Sequence, residues 1–159
     1  DVPTSNIQHP TSTADQMFTD EYFMKMALQE AQIAFEQDEV PIGCIIVSNN
    51  RILAKSHNLT ETLNDVTAHA EMQAITSAAN FLGGKYLQNC TLYVTMEPCV
   101  MCCGALTWSQ ISKVVIGARD EQRGFINKNL QLHPKTEIVL GVMEHECSVM
   151  VKEFFKNKR

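Results

Sequence analysis

The chain has 159 residues, of which 45% are hydrophobic and 19% are charged, which excludes an intrinsically disordered protein and predicts one globular domain. The formal net charge of −5 argues against a broadly cationic nucleic-acid-binding protein. The apolar runs, such as residues 44–47, are too short to cross a bilayer, so no membrane contact is expected.

The amino-terminal residues 1–16 are polar and contain neither the apolar core nor the basic segment of a secretory signal. We therefore expect a disordered or vector-derived tail at 1–16, followed by one domain at 17–159. In the absence of an export signal, the expected location is the cytoplasm.

Hydrophobic spacing and turn residues then predict helices and strands in alternation. Thr19 before two acidic residues indicates a helix start, the pair Gly83-Gly84 indicates a helix end, and Pro98 suits a first helical position. The expected elements are a helix at 20–38, a hairpin of strands 43–47 and 52–55, a helix at 68–82, a strand at 91–95, a helix at 98–110, strands at 114–116 and 138–142, and a helix at 144–156. This order predicts an α/β layered fold with a mixed sheet.

Six cysteines divide into two groups by their context. Cys44, Cys90 and Cys147 lie in apolar segments and are expected to be buried thiols. The close set at 99, 102 and 103 is more typical of a metal or catalytic site than of disulfides, since no export signal is present.

Cys99 and Cys102 are three residues apart near one helix start, so both sulfurs can reach one ion. His69, at the start of the preceding helix, supplies a nitrogen ligand. Structural zinc sites usually have four protein ligands, whereas three leave one position for water. A C-x-x-C pair alone also fits a redox pair or two core thiols. Cys103 can reach the same ion by spacing, but it is expected to be a packed neighbour.

Glu71, two residues after His69, can act on a water molecule at the open coordination position. A bound metal lowers the pKa of water, and an adjacent carboxylate can take its proton and pass it to a departing amine. An acidic residue at a helix start is also favoured by the helix dipole alone. Together, however, His69-x-Glu71 and Pro98-Cys99-x-x-Cys102 form the known H-x-E…P-C-x-x-C signature of zinc-dependent nucleobase deaminases.

The chain resembles the bacterial tRNA-specific adenosine deaminases, which make inosine at the wobble position of an anticodon. The resemblance is carried by EVPIGCIIV (39–47), HN (57–58), DVTAHAEMQAI (65–75), TLYVTMEPCVMCCGAL (91–106), VVIGARD (114–120) and the FF pair of the last helix. It implies a three-layer α/β/α sandwich with a mixed five-stranded sheet, one zinc ion per subunit, a homodimer and a tRNA anticodon stem-loop as partner.

The resemblance also implies substrate contacts by Asn58, by the backbone of Ala70 and by Asp120. By their types alone, Asn58 can equally be a turn residue and Asp120 a cap. Residues 113–159 hold nine Lys and Arg against six Asp and Glu, which favours phosphate contacts there, although cations near a helix end are also common. The candidate phosphate contacts are Arg119, Arg123, Lys128, Lys152, Lys156 and Lys158.

Two other functions remain open at this point. The acidic net charge and Trp108 mildly favour deamination of a free base or nucleoside such as guanine, cytosine or cytidine. A non-catalytic zinc module that binds RNA or another partner would leave Glu71 without a role. Trp108 itself fits the core, a dimer interface or stacking on a base, and the sequence leaves the conformation of 124–135 open.

Overall fold

The computed structural model describes residues 18–158, so the predicted tail at 1–16 lies outside the described residues. Within this range, no helix combines the length and the apolar character that crossing a bilayer requires. The elements are α1 (Asp20–Glu36), β1 (Gly43–Ser48), β2 (Arg51–His57), α2 (Ala70–Leu82), β3 (Thr91–Met96), α3 (Val100–Ser109), β4 (Lys113–Ala118), a 3-10 turn (Ile126–Lys128), β5 (Glu137–Leu140) and α4 (Glu144–Lys156).

The five strands form one mixed sheet in the order β2-β1-β3-β4-β5. β1 pairs antiparallel with both β2 and β3, whereas β3, β4 and β5 run parallel. The hairpin between β1 and β2 turns at Asn49 and Asn50, whose φ angles of 50° and 59° suit a tight hairpin turn. The predicted mixed five-stranded sheet is confirmed.

Helices cover both faces of this sheet. Cys44 and Ile46 of β1 lie in the core that also contains the buried residues of α2 and α3. The alternate residues Ile45 and Val47 pack instead with the buried residues of α1 and with Cys147 of α4. Side chains of a strand point to opposite faces in turn, so one apolar run serves two cores. The α/β/α sandwich is confirmed.

The ends of three helices can be compared with the starts and stops that the sequence predicts. Thr19 caps α1, with its hydroxyl oxygen accepting a hydrogen bond from the Tyr22 amide at 3.1 Å. Gly83 ends α2 in the left-handed conformation, with φ of 70°. The prediction for α3 was wrong by two residues, because the helix begins at Val100 and not at Pro98.

The shift in α3 has a clear cause. The backbone at Cys99 is extended and forms an isolated β-bridge with Gly124. The carbonyl oxygen of Pro98 accepts a hydrogen bond from the Phe125 amide at 3.1 Å. This long-range pairing holds the two residues outside the helix, and Cys99 becomes the N-cap.

The three cysteines expected in the core are buried and free. Cys44, Cys90 and Cys147 are each at most 1% exposed and form no disulfide. Burial is the first cause of the raised pKa of each of these thiols. Their role is packing, as predicted.

A stability test follows from the contact between β1 and α1. A Cβ atom at Gly43 would lie 1.9 Å from the carbonyl oxygen of Ala27, so Gly43→Ala must separate the strand from the helix. We expect a loss of about 3 kcal/mol in the free energy of unfolding, measured by urea denaturation. Gly84→Ala is the control, since its Cβ meets no atom within 4 Å, and it should change stability by less than about 0.5 kcal/mol. Equal stability of both variants would contradict the close approach.

Candidate active site

The site is built on the starts of two helices that pack on the same face of the sheet. His69 is the N-cap of α2 and Cys99 is the N-cap of α3, both with extended backbone. Neither side chain makes the usual capping hydrogen bond to its own helix. Both side chains are therefore free to turn towards each other.

The three predicted ligands come together in the structure. The His69 Nδ1 atom lies 3.6 Å from the Sγ atom of Cys99 and 3.6 Å from that of Cys102. All three ligand atoms lie within 4.8 Å of one another. Tetrahedral zinc, with bonds of about 2.05 Å to nitrogen and about 2.3 Å to sulfur, places these atoms about 3.6 Å apart. The group fits zinc and leaves a fourth position open.

The two thiols of this group differ in the direction of their pKa shifts. The neighbouring Cys102 thiol, followed by His69, lowers the pKa of Cys99 to about 3. The pKa of Cys102 is raised, first by its contact with Cys99 and then by burial. Two adjacent thiolates are therefore unfavourable without a cation, and a divalent ion removes that penalty.

Cys103 lies outside the group, although its spacing allowed it to be a ligand. Its Sγ atom lies 3.9 Å from the carbonyl oxygen of Gln131, and the side chain is buried in the core. Among residues 18–158, the metal-ligating group consists of His69, Cys99 and Cys102 alone.

Glu71 lies beside the metal ligands, at the second residue of α2. Together with His69 and Cys99 it lines a cavity of about 460 Å³, and it is only 3% exposed. Burial, as the largest cause, raises the pKa of its carboxyl group. A carboxyl group in this place can accept and return a proton next to the ligand group.

The rest of the cavity wall comes from four parts of the chain. The predicted site residues Arg119, Asp120 and Arg123 lie in this wall, together with His69, Glu71 and Cys99. The wall residues that were not predicted are an apolar set, one buried acid and two exposed polar residues, namely Val40, Ile42, Met96, Val151, Phe155, Glu97, Glu121 and Gln122. Val151 and Phe155 belong to α4, where the FF pair that carries part of the resemblance includes Phe155.

The residues expected to contact substrate differ in their placement. Asp120 lines the cavity, and its Oδ1 atom accepts hydrogen bonds from the amides of Gln122 and Arg123 at 3.1 and 3.0 Å. Asn58 is buried, and its Oδ1 atom accepts a hydrogen bond from the Thr60 amide at 3.4 Å. Ala70 is buried at the start of α2. Each polar side chain thus also has the local role that its residue type suggested.

The candidate phosphate contacts fall into two groups. Arg119 donates from Nε to Glu97 at 2.5 Å, and Lys158 pairs with Asp38. Arg123 is exposed at the cavity wall, and the exposed lysines away from it are Lys128, Lys152 and Lys156. None of these four forms an ion pair with another residue in the described range.

Trp108 is not a core residue, since it is 84% exposed. It borders a separate cleft of about 290 Å³ together with Lys85, Tyr86 and parts of α2 and α3. Within residues 18–158, this cleft shares no lining residue with the metal-site cavity. The location argues against stacking of Trp108 on a base bound at the metal site.

Comparisons with known proteins agree with this geometry. A family model of the cytidine and deoxycytidylate deaminase zinc-binding region matches residues 17–118. The tRNA-specific adenosine deaminase of Aquifex aeolicus (strain VF5) is 45% identical over 144 residues, which cover 87% of this chain and 95% of that protein. A structure from a study of A-to-I editing by tRNA:A34 deaminases at the wobble position of transfer RNA is 40% identical, with a TM-score of 0.75, and the match covers 81% of this chain and 98% of that chain.

A second solved structure is similar over a shorter part. The X-ray structure of guanine deaminase from Bacillus subtilis is 38% identical, with a TM-score of 0.61. The match covers 64% of this chain and 65% of that chain.

The three-ligand geometry can be tested by exchanging neighbouring sulfurs. Cys102→Ser should abolish stoichiometric zinc binding, because an alcohol is a far weaker zinc ligand than a thiolate. Cys103→Ser is the matched control, and it should retain one zinc per chain. Zinc is measured by elemental analysis of purified protein. If only the Cys103 variant lost zinc, the third ligand would be Cys103 and the assignment of Cys102 would be wrong.

Proposed function

The chain belongs to the cytidine and deoxycytidylate deaminase family, among the tRNA-specific adenosine deaminases, and we propose that it converts adenosine to inosine at the wobble position of a tRNA anticodon. The observation that carries the proposal is that Glu71 lines the same cavity as His69 and Cys99, two members of the three-ligand metal group. Hydrolytic deamination needs metal ligands, an open coordination position for water and a group that carries a proton.

His69, Cys99 and Cys102 would hold the zinc ion. When bound, zinc lowers the pKa of a water molecule and so supplies the nucleophile for hydrolysis. Glu71 would take one proton from the attacking water and deliver it to the departing amine. In the overall reaction the water oxygen bonds to C6 of the adenine base, the second water proton goes to N1, and the bond from C6 to the exocyclic nitrogen breaks, so that ammonia and inosine are the products.

The cavity explains how a polynucleotide can be a substrate. A base in an anticodon loop is not paired, so it can leave the stack and enter a cavity of about 460 Å³. We assign Asn58 and the backbone of Ala70 to the target base, and Asp120 to a flanking ribose. These roles follow the family resemblance, and the placement of Asp120 at the cavity wall supports its part.

The surface charge supports an RNA substrate. Arg123 at the cavity wall and Lys128, Lys152 and Lys156 outside it are exposed cations, which we assign to phosphate contacts. They belong to the segment 113–159, where basic residues exceed acidic ones although the whole chain is acidic. A tRNA substrate also implies action in the cytoplasm.

A free base is the second candidate substrate, and the likeness to guanine deaminase of Bacillus subtilis favours it. That match, however, covers about two thirds of each chain, whereas the tRNA deaminase of Aquifex aeolicus matches 87% of this chain. The basic segment 113–159 also has no role with a free base. A zinc module without catalysis is disfavoured by Glu71, which such a module does not need.

We further propose that the protein is a homodimer. Three large apolar residues, Tyr86, Val100 and Trp108, are exposed, at 47%, 48% and 84%. Val100 and Trp108 belong to α3, the helix that carries Cys102, and Tyr86 borders the same cleft as Trp108. Exposed apolar surface of this kind commonly marks a protein interface.

The proposed reaction is tested by measuring inosine formation on an anticodon stem-loop with adenosine at the wobble position. Guanine, cytosine and cytidine are assayed in parallel by ammonia release. We expect the stem-loop to be the best substrate and its binding to weaken steeply with salt, because phosphate contacts release counterions. Higher turnover of a free base, with no effect of salt, would refute the tRNA assignment.

Glu71→Gln tests the role of the proton carrier in the same assay. The substitution keeps the size of the side chain but removes its ability to carry a proton. We expect kcat to fall by about 10²–10⁴-fold while one zinc per chain is retained. Full activity in this variant would show that another group moves the proton.

The dimer is tested with Trp108→Glu. A charge at the centre of an apolar contact should favour the monomer, and sedimentation analysis measures the change in mass. Lys25→Glu is the control, because Lys25 is exposed on α1, which packs on the opposite face of the sheet, and it should leave the dimer intact. A monomeric parent protein, or a dimer that survives the Trp108 change, would contradict the assigned interface.

A further inference from the structure

Glu97 is a buried acid beside the metal ligands that the reaction itself does not use. Its side chain has no exposed surface, and it directly follows β3, two residues before Cys99. One carboxylate oxygen accepts hydrogen bonds from Arg119 Nε at 2.5 Å and from the Asp120 amide at 3.3 Å. The other accepts a hydrogen bond from the Ile126 amide at 3.1 Å. One carboxylate thus joins three points of the segment 119–126.

The segment is shaped to admit this carboxylate. A Cβ atom at Gly124 would lie 1.9 Å from Glu97 Oε2, so any larger residue there would displace the acid. The amide of Phe125 donates to the carbonyl oxygen of Pro98 at 3.1 Å, and Gly124 forms a β-bridge with Cys99. The segment is therefore fastened to the residues that lead into the metal site.

Arg119 uses its guanidinium group to pair with Glu97. Its Nε donates to Glu97, and its Nη2 donates to Asn127 Oδ1 at 3.1 Å. A buried carboxylate needs such a partner, because an unpaired charge in the interior is costly. Arg123 lies on the same cavity wall but is exposed and has no carboxylate partner among the residues described.

We propose that Glu97 and Arg119 are a positioning pair, which fixes Asp120 and the segment 119–126 as one wall of the cavity. In this arrangement Arg119 neutralises Glu97 and does not bind an RNA phosphate, whereas Arg123 does. The inference rests on the proposed function, since it assigns how the same cavity receives its RNA substrate.

Salt dependence of binding separates a positioning arginine from a phosphate contact. Binding of the anticodon stem-loop is measured from low to high salt with zinc-loaded protein in the Glu71→Gln background, so that no turnover occurs. Arg123→Gln should reduce the slope of log affinity against log salt by about 0.7–0.9, the amount expected for one phosphate. Arg119→Gln should weaken binding several-fold and leave the slope unchanged.

The second measurement addresses the segment directly. In Glu97→Gln, an amide NH2 replaces a carboxylate oxygen and faces a donor. Hydrogen exchange at the amides of Asp120 and Ile126 should then accelerate, while exchange in the core strands stays unchanged. In steady-state kinetics of the active protein, Glu97→Gln and Arg119→Gln should each raise KM several-fold and change kcat by less than about twofold. The double variant should resemble the worse single variant, because both act through one contact.

The outcomes distinguish this inference from the proposed function. If Arg119→Gln lowers the salt slope as Arg123→Gln does, Arg119 is a phosphate contact and the pairing role is wrong. Unchanged exchange and unchanged KM in Glu97→Gln would also overturn it, and Arg119→Gln gives the same test if the Glu97 variant does not fold. Absence of inosine formation by the parent protein would instead refute the proposed function, and the exchange experiment would still report on the segment.

Discussion

The convergence of two helix N-termini on one face of the sheet is the constraint on which the site depends. The positive ends of the α2 and α3 dipoles point towards the same place, where unpaired positive ends would repel each other. The thiolate of Cys99 and the side chain of Glu71 supply negative charge there, and a divalent cation balances the surplus. The ligand group therefore also stabilises the close approach of the helices that carry it.

Three acids are buried within residues 18–158, and two of them brace the chain. Glu39 accepts hydrogen bonds from the amides of Glu61 and Thr62 at 2.8 and 3.2 Å. Glu97 fastens the segment after β4 in the same manner. Glu71, by contrast, lines the cavity. The three glutamates thus differ in role because two of the carboxylates accept hydrogen bonds that brace the chain, whereas the third lines the cavity.

The layered fold and the ligand group could be predicted because both depend on local spacing. α4 has the predicted bounds, Glu144–Lys156, and the apolar run of β1 forms an interior strand of the sheet. The start of α3 could not be predicted, because the bridge between Cys99 and Gly124 connects residues far apart in sequence. The pairing of Arg119 with Glu97 could not be predicted for the same reason, since spacing does not show which distant carboxylate a basic residue contacts. The substrate contacts predicted from the resemblance for Asn58, Ala70 and Asp120 stay predictions, although Asp120 lies at the cavity wall.

The contribution of α4 to the cavity has a consequence for biosynthesis. Val151 and Phe155 complete a wall whose other parts, including His69 and Cys99, are translated earlier. A ribosome-bound chain that ends before Glu144 contains every metal ligand but lacks this apolar surface. The order of translation therefore places these two cavity residues after every metal ligand, so the cavity is complete only once α4 has been made.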